Sequence, residues 1–311
     1  MYVNNVRAGM LAGMGAGALW GLVFLAPALV PAFHPLELAA GRYLAYGLVA
    51  LALVAPAWQR LRRTLGWRDW RTLAWLSLTG NIAYYILLAS AVQMGGVAMT
   101  SMVIGLLPVV VTLVGSRDRH AVPLRRLLPS LLLSAGGLAC ISWQSLAQAG
   151  HASLAGLLCA LAALLSWTVY AVSNSRAMGR LPAVSAQEWN LLTGVVTGAA
   201  ALLLAIPVSM AATGQHGATA WLRFTGVVMG VALLCSVVGN GLWNHASRLL
   251  PLTMVGQMIV FEFLFALLYG YVWEQRWPTP VEAAAAMLLL AGVLACALAH
   301  RVEQPAAAVC P

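Results

Sequence analysis

SVVGNGLWNHASRLLPLTMVGQMIVFEFLFALLYGYVW, residues 236–273, reads as the end of one apolar helix, a tight connection at Leu250-Pro251, and a second apolar helix carrying Gln257 and Glu262. A helix that starts near Pro251 and rises about 1.5 Å per residue puts Glu262 roughly 17 Å in, near the middle of a hydrocarbon layer about 30 Å thick. A carboxylate at that depth is costly, and acids so placed face a cavity or a partner rather than lipid. The stretch therefore predicts a polar path through a helical membrane bundle.

Composition agrees. Of 311 residues, 62% are hydrophobic and 8% charged, with a mean hydropathy of +0.86. An ordinary soluble domain carries about a quarter charged residues, so that class is excluded. The net charge of +9 is carried by arginine alone, in short segments between apolar runs, where it reports orientation and not nucleic-acid binding. Cys140, Cys159, Cys235 and Cys296 fall inside apolar runs without C-x-x-C spacing and Cys310 lies at the tail, so neither a disulfide framework nor a metal site is expected.

Apolar runs predict ten membrane helices, near 8–30, 36–56, 72–93, 95–115, 124–143, 153–174, 186–207, 220–243, 251–272 and 281–299. The first run is too long for a signal-peptide core and is read as a retained span. The uncharged connection at Gln93 to Gly95 makes the third and fourth helices a hairpin. With the N-terminus inside, fourteen arginines fall on the cytoplasmic side and only Arg223 and Arg276 in outer loops. Both termini are then cytoplasmic. Gly9–Trp20 matches Gly156–Trp167, Glu37, Gly47 and Pro56 match Glu188, Gly198 and Pro207, and Gly137 answers Gly292. An odd number of helices per repeat inverts the second copy. The expected fold is an all-α polytopic membrane protein of ten transmembrane helices in two inverted five-helix repeats, residues 1–148 and 149–311, with the seam at Gln144 to Ala152.

Three stretches, ELAAGRYLAYGLVAL around Arg42, YYILLASAVQMGGVAMTSMVIGLLPVVVTLVG with Pro108, and HASRLLPLTMVGQMIVFEFLFALLYGYVWEQRWPTPVEAAAAMLLLAGVL with Glu262, Glu274 and Gly292, resemble the drug/metabolite transporter superfamily and its EamA-type members. Phe263 stands at that family's proline, and Arg117-Asp118-Arg119 stands in place of a clear acid at the end of the fourth helix. The resemblance spans the chain and implies a bacterial inner-membrane secondary transporter, most similar to exporters of aromatic and other neutral amino acids.

Individual residues have functional and plain readings side by side. Glu262 is a proton-coupling group or a partner for a substrate ammonium; the plain alternative is a protonated structural acid. Arg42, roughly 8 Å into the second helix by helical rise, reaches a substrate carboxylate or snorkels to the interface. Glu37 and Glu188, each in a first helical turn, are read as caps. Gly9, Gly13, Gly17 and Gly21 form one face for close helix contact, and Pro27 and Pro108 bend their helices. Trp20, Asn81, Tyr84, Tyr85, Trp167, Asn190, Trp243 and Gln257 complete the candidate binding set, with Pro108 and His245 as gating candidates. An aromatic pocket with few polar anchors suits an apolar or aromatic zwitterion.

No G-x-S-x-G elbow, H-E-x-x-H helix or lysine-bearing phosphate loop is present, so neither an enzyme nor an ATP-driven pump is expected, and no cofactor. The partners are a small-molecule substrate and the lipid bilayer. Monomer and homo-oligomer stay open. Two other readings stand beside the exporter: a drug or nucleotide-sugar transporter of the same fold, and an integral-membrane enzyme or assembly protein.

Overall fold

The computed structural model describes residues 2–118, 121–146, 153–211 and 216–301. Residues 147–152, the larger part of the expected seam, and Cys310 lie outside them. Among the described residues the chain forms ten helical rods and no strand. They are α1 (Asn5–Leu29), α2 (Leu36–Thr64), α3 (Trp67–Met94), α4 (Met99–Gly115), α5 (Leu124–Leu146), α6 (Leu154–Arg180), α7 (Ala186–Ala211), α8 (Ala218–Leu249), α9 (Leu252–Glu274) and α10 (Pro280–Arg301). The rods follow the ten apolar runs in order. Seven are long and apolar enough to cross a membrane, and α4 is a shorter apolar helix. Leu11, Leu48, Leu132, Leu203 and Leu294 are each 61–73% exposed, whereas Ser130, Thr112, Thr197 and Gln257 are fully buried. Apolar outside and polar inside is what a hydrocarbon solvent selects.

The order of packing carries the two-fold repeat. α2 packs on α7, α4 on α9 and α5 on α10, while α1 packs on α8 and α9, and α6 on α3 and α4. Exchanging the first five rods for the last five maps this pattern onto itself. Glycines make the central crossings close: a Cβ on Gly47 would sit 2.6 Å from Gly198 Cα, and one on Gly137 would sit 2.9 Å from Ala285 O. Both α3 and α8, which are repeat-related, contain a π-helical stretch, Leu78–Ile82 and Ala232–Gly239. Neither is visible in the apolar periodicity.

Local chemistry ends the rods. Glu37 Oε2 accepts from His34 N at 2.6 Å while His34 Nδ1 accepts from Leu36 N at 3.2 Å. Glu188 Oε2 accepts from Ser185 N at 2.9 Å and Ser185 Oγ from Glu188 N at 3.1 Å. Both acids thus satisfy orphan donors at helix starts; Glu188 also pairs with Arg60. The break between α3 and α4 is at Gly96, whose φ of 79° lies in the left-handed region that glycine tolerates. In the α9–α10 loop, Arg276 binds Glu282 with two hydrogen bonds of 2.8 and 2.9 Å and also Glu274. These bonds raise its pKa above the ordinary arginine value, Glu282 contributing most.

Candidate functional site

α9 is two helices joined at Ile259: Leu252–Met258 and Val260–Glu274. The inner piece is fully buried. Its Gln257 donates to Thr112 Oγ1 at 3.3 Å and accepts from Ser134 Oγ at 3.0 Å, which ties α9 to α4 and α5. Past the break, Glu262 is only partly buried, and its carboxyl has no hydrogen bond or ion pair among the described residues. The glycine face of α1 sets its position. A Cβ on Gly17 would lie 2.6 Å from Phe261 Cβ and 2.8 Å from Glu262 N, and one on Gly21 2.9 Å from Ala266 N. Only glycine lets these two backbones approach so closely.

Glu262 lines a cavity of about 320 Å³ in the middle and far portions of the bundle, away from the arginine-rich ends. α2 contributes Arg42 and Tyr43, α3 contributes Asn81, Tyr84 and Tyr85, α4 contributes Thr100 and Ser101, and α6 contributes Trp167 and Tyr170. Trp20 and Phe24 of α1, Asn240 of α8 and Phe263 of α9 complete the polar and aromatic lining. Arg42 Nε donates to Ser236 Oγ at 3.1 Å, and among the described residues no hydrogen bond or ion pair joins it to Glu262. The Arg42 guanidinium and the Glu262 carboxyl therefore line one small aromatic-walled space with no ion pair between them.

The π-helical stretches shape this space. In α8 the carbonyls of Cys235, Ser236 and Val237 accept side-chain hydrogen bonds from other rods: Trp20 Nε1 to Cys235 at 3.2 Å, Asn190 Nδ2 to Ser236 and Val237 at 3.1 and 2.8 Å, and Gln187 Nε2 to Val237 at 3.3 Å. In α3 the Thr79 carbonyl accepts from Ser166 Oγ at 2.8 Å. A π turn offers backbone oxygens that an α-helix would use itself, and such turns are common at functional sites.

Toward the arginine-rich side the cavity ends on a tryptophan cluster. Trp20 lies 6.3 Å from Trp167 and 5.1 Å from Trp243 between ring centroids, and Trp167 lies 5.8 Å from Trp243. Trp20 Nε1 also donates to Asn240 Oδ1 at 2.8 Å. Below the cluster, Trp189 Nε1 donates to Asn174 Oδ1 at 3.1 Å, and Asn174 Nδ2 to Asn244 Oδ1 at 2.8 Å.

Of the residues selected from sequence, Trp20, Arg42, Asn81, Tyr84, Tyr85, Trp167 and Glu262 line the cavity together. Trp243 stands one layer behind, almost fully buried, and its indole N–H has no acceptor among the described residues. Asn190 is elsewhere, tied to α8 and to Tyr46, whose Oη donates to its Oδ1 at 2.5 Å. Gln257 is likewise a tie between rods. Pro108, itself buried, stands in the first turn of the helix Leu107–Gly115 after an interruption at Gly105–Leu106, beside Gly256 of α9. His245 is exposed near the end of α8. Tyr43, Tyr170 and Asn240 also line the cavity, although neither depth nor charge singles them out in the sequence. Tyr170 follows Trp167 by one helical turn and Asn240 follows Ser236 by one, so same-face spacing to a selected or polar neighbour was the available signal.

Comparison with known proteins adds the following. The EamA-like transporter family matches residues 7–143 and again 154–298. Inner membrane protein YtfF of Escherichia coli (strain K12) is 33% identical over 314 aligned positions, covering 92% of this chain and 94% of that one. A protein of known crystal structure superposes with a TM-score of 0.77 at 22% identity over 96% of this chain and 99% of its own, a likeness of fold.

Proposed function

The chain belongs to the EamA-like transporter family, and from that premise we propose that it exports amino acids, preferring aromatic or apolar side chains, across the bacterial inner membrane by alternating access. The observation that carries the reading is that Arg42 and Glu262 line one aromatic cavity without an ion pair between them. The guanidinium takes the substrate carboxylate, the carboxylate its ammonium, and Trp20, Trp167, Tyr84 and Tyr85 its side chain, with Asn81 as a further polar anchor. Hydrogen bonds to charged groups are each worth about 1.5–3 kcal/mol, enough at two ends to select zwitterions over singly charged analogues. At about 320 Å³ the cavity is at the small end of ligand pockets, which run from about 300 to 1,000 Å³, and its single arginine is a poor match for a diphosphate-bearing nucleotide sugar.

Alternating access is supported by the near-symmetric packing of the halves and by a cavity that stops at the tryptophan cluster. The moving parts in this reading are α4 and α9, each interrupted beside the other, at Gly105–Leu106 and at Ile259. Gln257 and Asn190 hold the frame. The inner-membrane assignment, with both termini cytoplasmic, draws on the arginine bias and on the location in the YtfF name.

The test is efflux of a panel of labelled amino acids from sealed proteoliposomes, with and without a pH gradient. Selective, protein-dependent efflux of an aromatic amino acid is expected. Movement of drugs or nucleotide sugars with no amino-acid flux would replace the cargo, and no flux of any solute would return the protein to the enzyme or assembly reading. Glu262→Gln separates coupling from facilitated diffusion, since only coupled export loses its pH dependence.

A further inference from the structure

On the arginine-rich side, α3 and α6 part to leave an open cleft of about 800 Å³ that shares no lining residue with the cavity. Two helical stripes form its walls. Arg68, Arg71, Trp75 and Leu78 follow one another on α3 at spacings of three and four residues, and Ser173, Arg176 and Arg180 do so on α6. Such spacing puts each set on one helix face. The two rods run in opposite directions, so both stripes present arginine at the rim and Trp75, Leu78 and Ser173 deeper.

Charge in the cleft is unbalanced. Arg176 binds Asp118 Oδ1 at 3.1 Å, but Arg68, Arg71 and Arg180 have no side-chain partner among the described residues. Guanidiniums gathered without counter-charge repel one another, and they bind phosphate oxygens through forked pairs of N–H donors. A soluble phosphate would need only the rim. The deeper wall is apolar and open, with Trp75 49% and Leu78 46% exposed, surface that acyl chains cover. The rim meanwhile stands at the headgroup level of the leaflet that attracts basic segments.

We propose that this cleft binds an anionic phospholipid, with a two-phosphate headgroup bridging the arginines of α3 to those of α6 and its acyl chains against Trp75 and Leu78. The inference does not depend on which solute the cavity carries. Because α3 and α6 come from opposite repeats, such a lipid fastens one half of the bundle to the other.

Native mass spectrometry of the full-length protein, titrated with cardiolipin, phosphatidylglycerol and phosphatidylcholine, tests it. Cardiolipin is expected to be retained preferentially, and Arg71→Gln/Arg180→Gln to weaken its binding roughly 30-fold. Arg62→Gln/Arg63→Gln, which removes equal charge from exposed positions of the helix Trp58–Thr64, is expected to leave it within about twofold. Equal loss in both variants would overturn the site in favour of general surface attraction. Pyrophosphate at millimolar concentration displacing the lipid completely, and binding as well by itself, would overturn the lipid assignment in favour of a free-anion site. Should the cleft variant fail to fold, the wild-type selectivity decides: equal retention of cardiolipin and phosphatidylcholine contradicts the proposal.

Discussion

Gln257 and Glu262 are five residues apart on one membrane rod, and their surroundings are opposite. On the inner piece of α9 every polar group has found a protein partner: Gln257 binds Thr112 and Ser134, and Thr112 Oγ1 donates to Thr253 O at 3.2 Å. On the outer piece, one residue break later, Glu262 meets a cavity and no partner among the described residues. The difference teaches that depth in the membrane marks a polar residue as important without saying for what. A satisfied group is glue between rods; an unsatisfied one next to space is free to act on a ligand.

Substitutions along α9 should separate the two. Gly256→Leu should do most damage, because a Cβ there already lies 2.9 Å from Thr112 N, a backbone atom that cannot turn aside. Loss of folded protein, seen as aggregation on size-exclusion chromatography, is expected. Gln257→Ala comes next. It strands the buried Ser134 hydroxyl and removes the bond Thr112 Oγ1 accepts, so thermal unfolding in detergent should show a loss of about 1–3 kcal/mol, with transport per folded molecule preserved. Off α9, Glu188→Ala removes a cap and an exposed ion pair with Arg60 and should cost about 1 kcal/mol by the same assay. Glu262→Gln should cost least, within about 0.5 kcal/mol, since no partner is lost. Its export activity should nevertheless fall more than tenfold. A Glu262→Gln variant that unfolds as readily as Gln257→Ala would make the acid another tie and erase the contrast.

Much of the frame could be read from the chain alone because its causes are local. Runs of apolar residues fix helix number, arginine placement fixes the expected sidedness, and the acids after His34 and Ser185 cap the helices they start. The glycine face of α1 is equally visible, although its partner, the backbone of Phe261 to Ala266, is not. What the sequence hid depends on contacts more than a hundred residues away. Asn190 and Gln257 resemble Asn81 and Glu262 in type and depth, yet Tyr46 for one, and Thr112 and Ser134 for the other, turn them into ties. The interruption at Ile259 and the π stretches of α3 and α8 leave no mark on hydropathy, though they aim Glu262, Asn81 and Ser236.

The central claim is that Arg42 and Glu262 read the two ends of one zwitterion. Its most direct test is competition, in sealed proteoliposomes, between an exported aromatic amino acid, its amide and its deaminated acid, for the wild type, Arg42→Gln and Glu262→Gln. The account predicts that the wild type favours the zwitterion over both, that Arg42→Gln loses discrimination against the amide alone, and that Glu262→Gln loses discrimination against the deaminated acid alone. Equal competition by all three compounds in the wild type, or equal loss of both preferences in each variant, would contradict it.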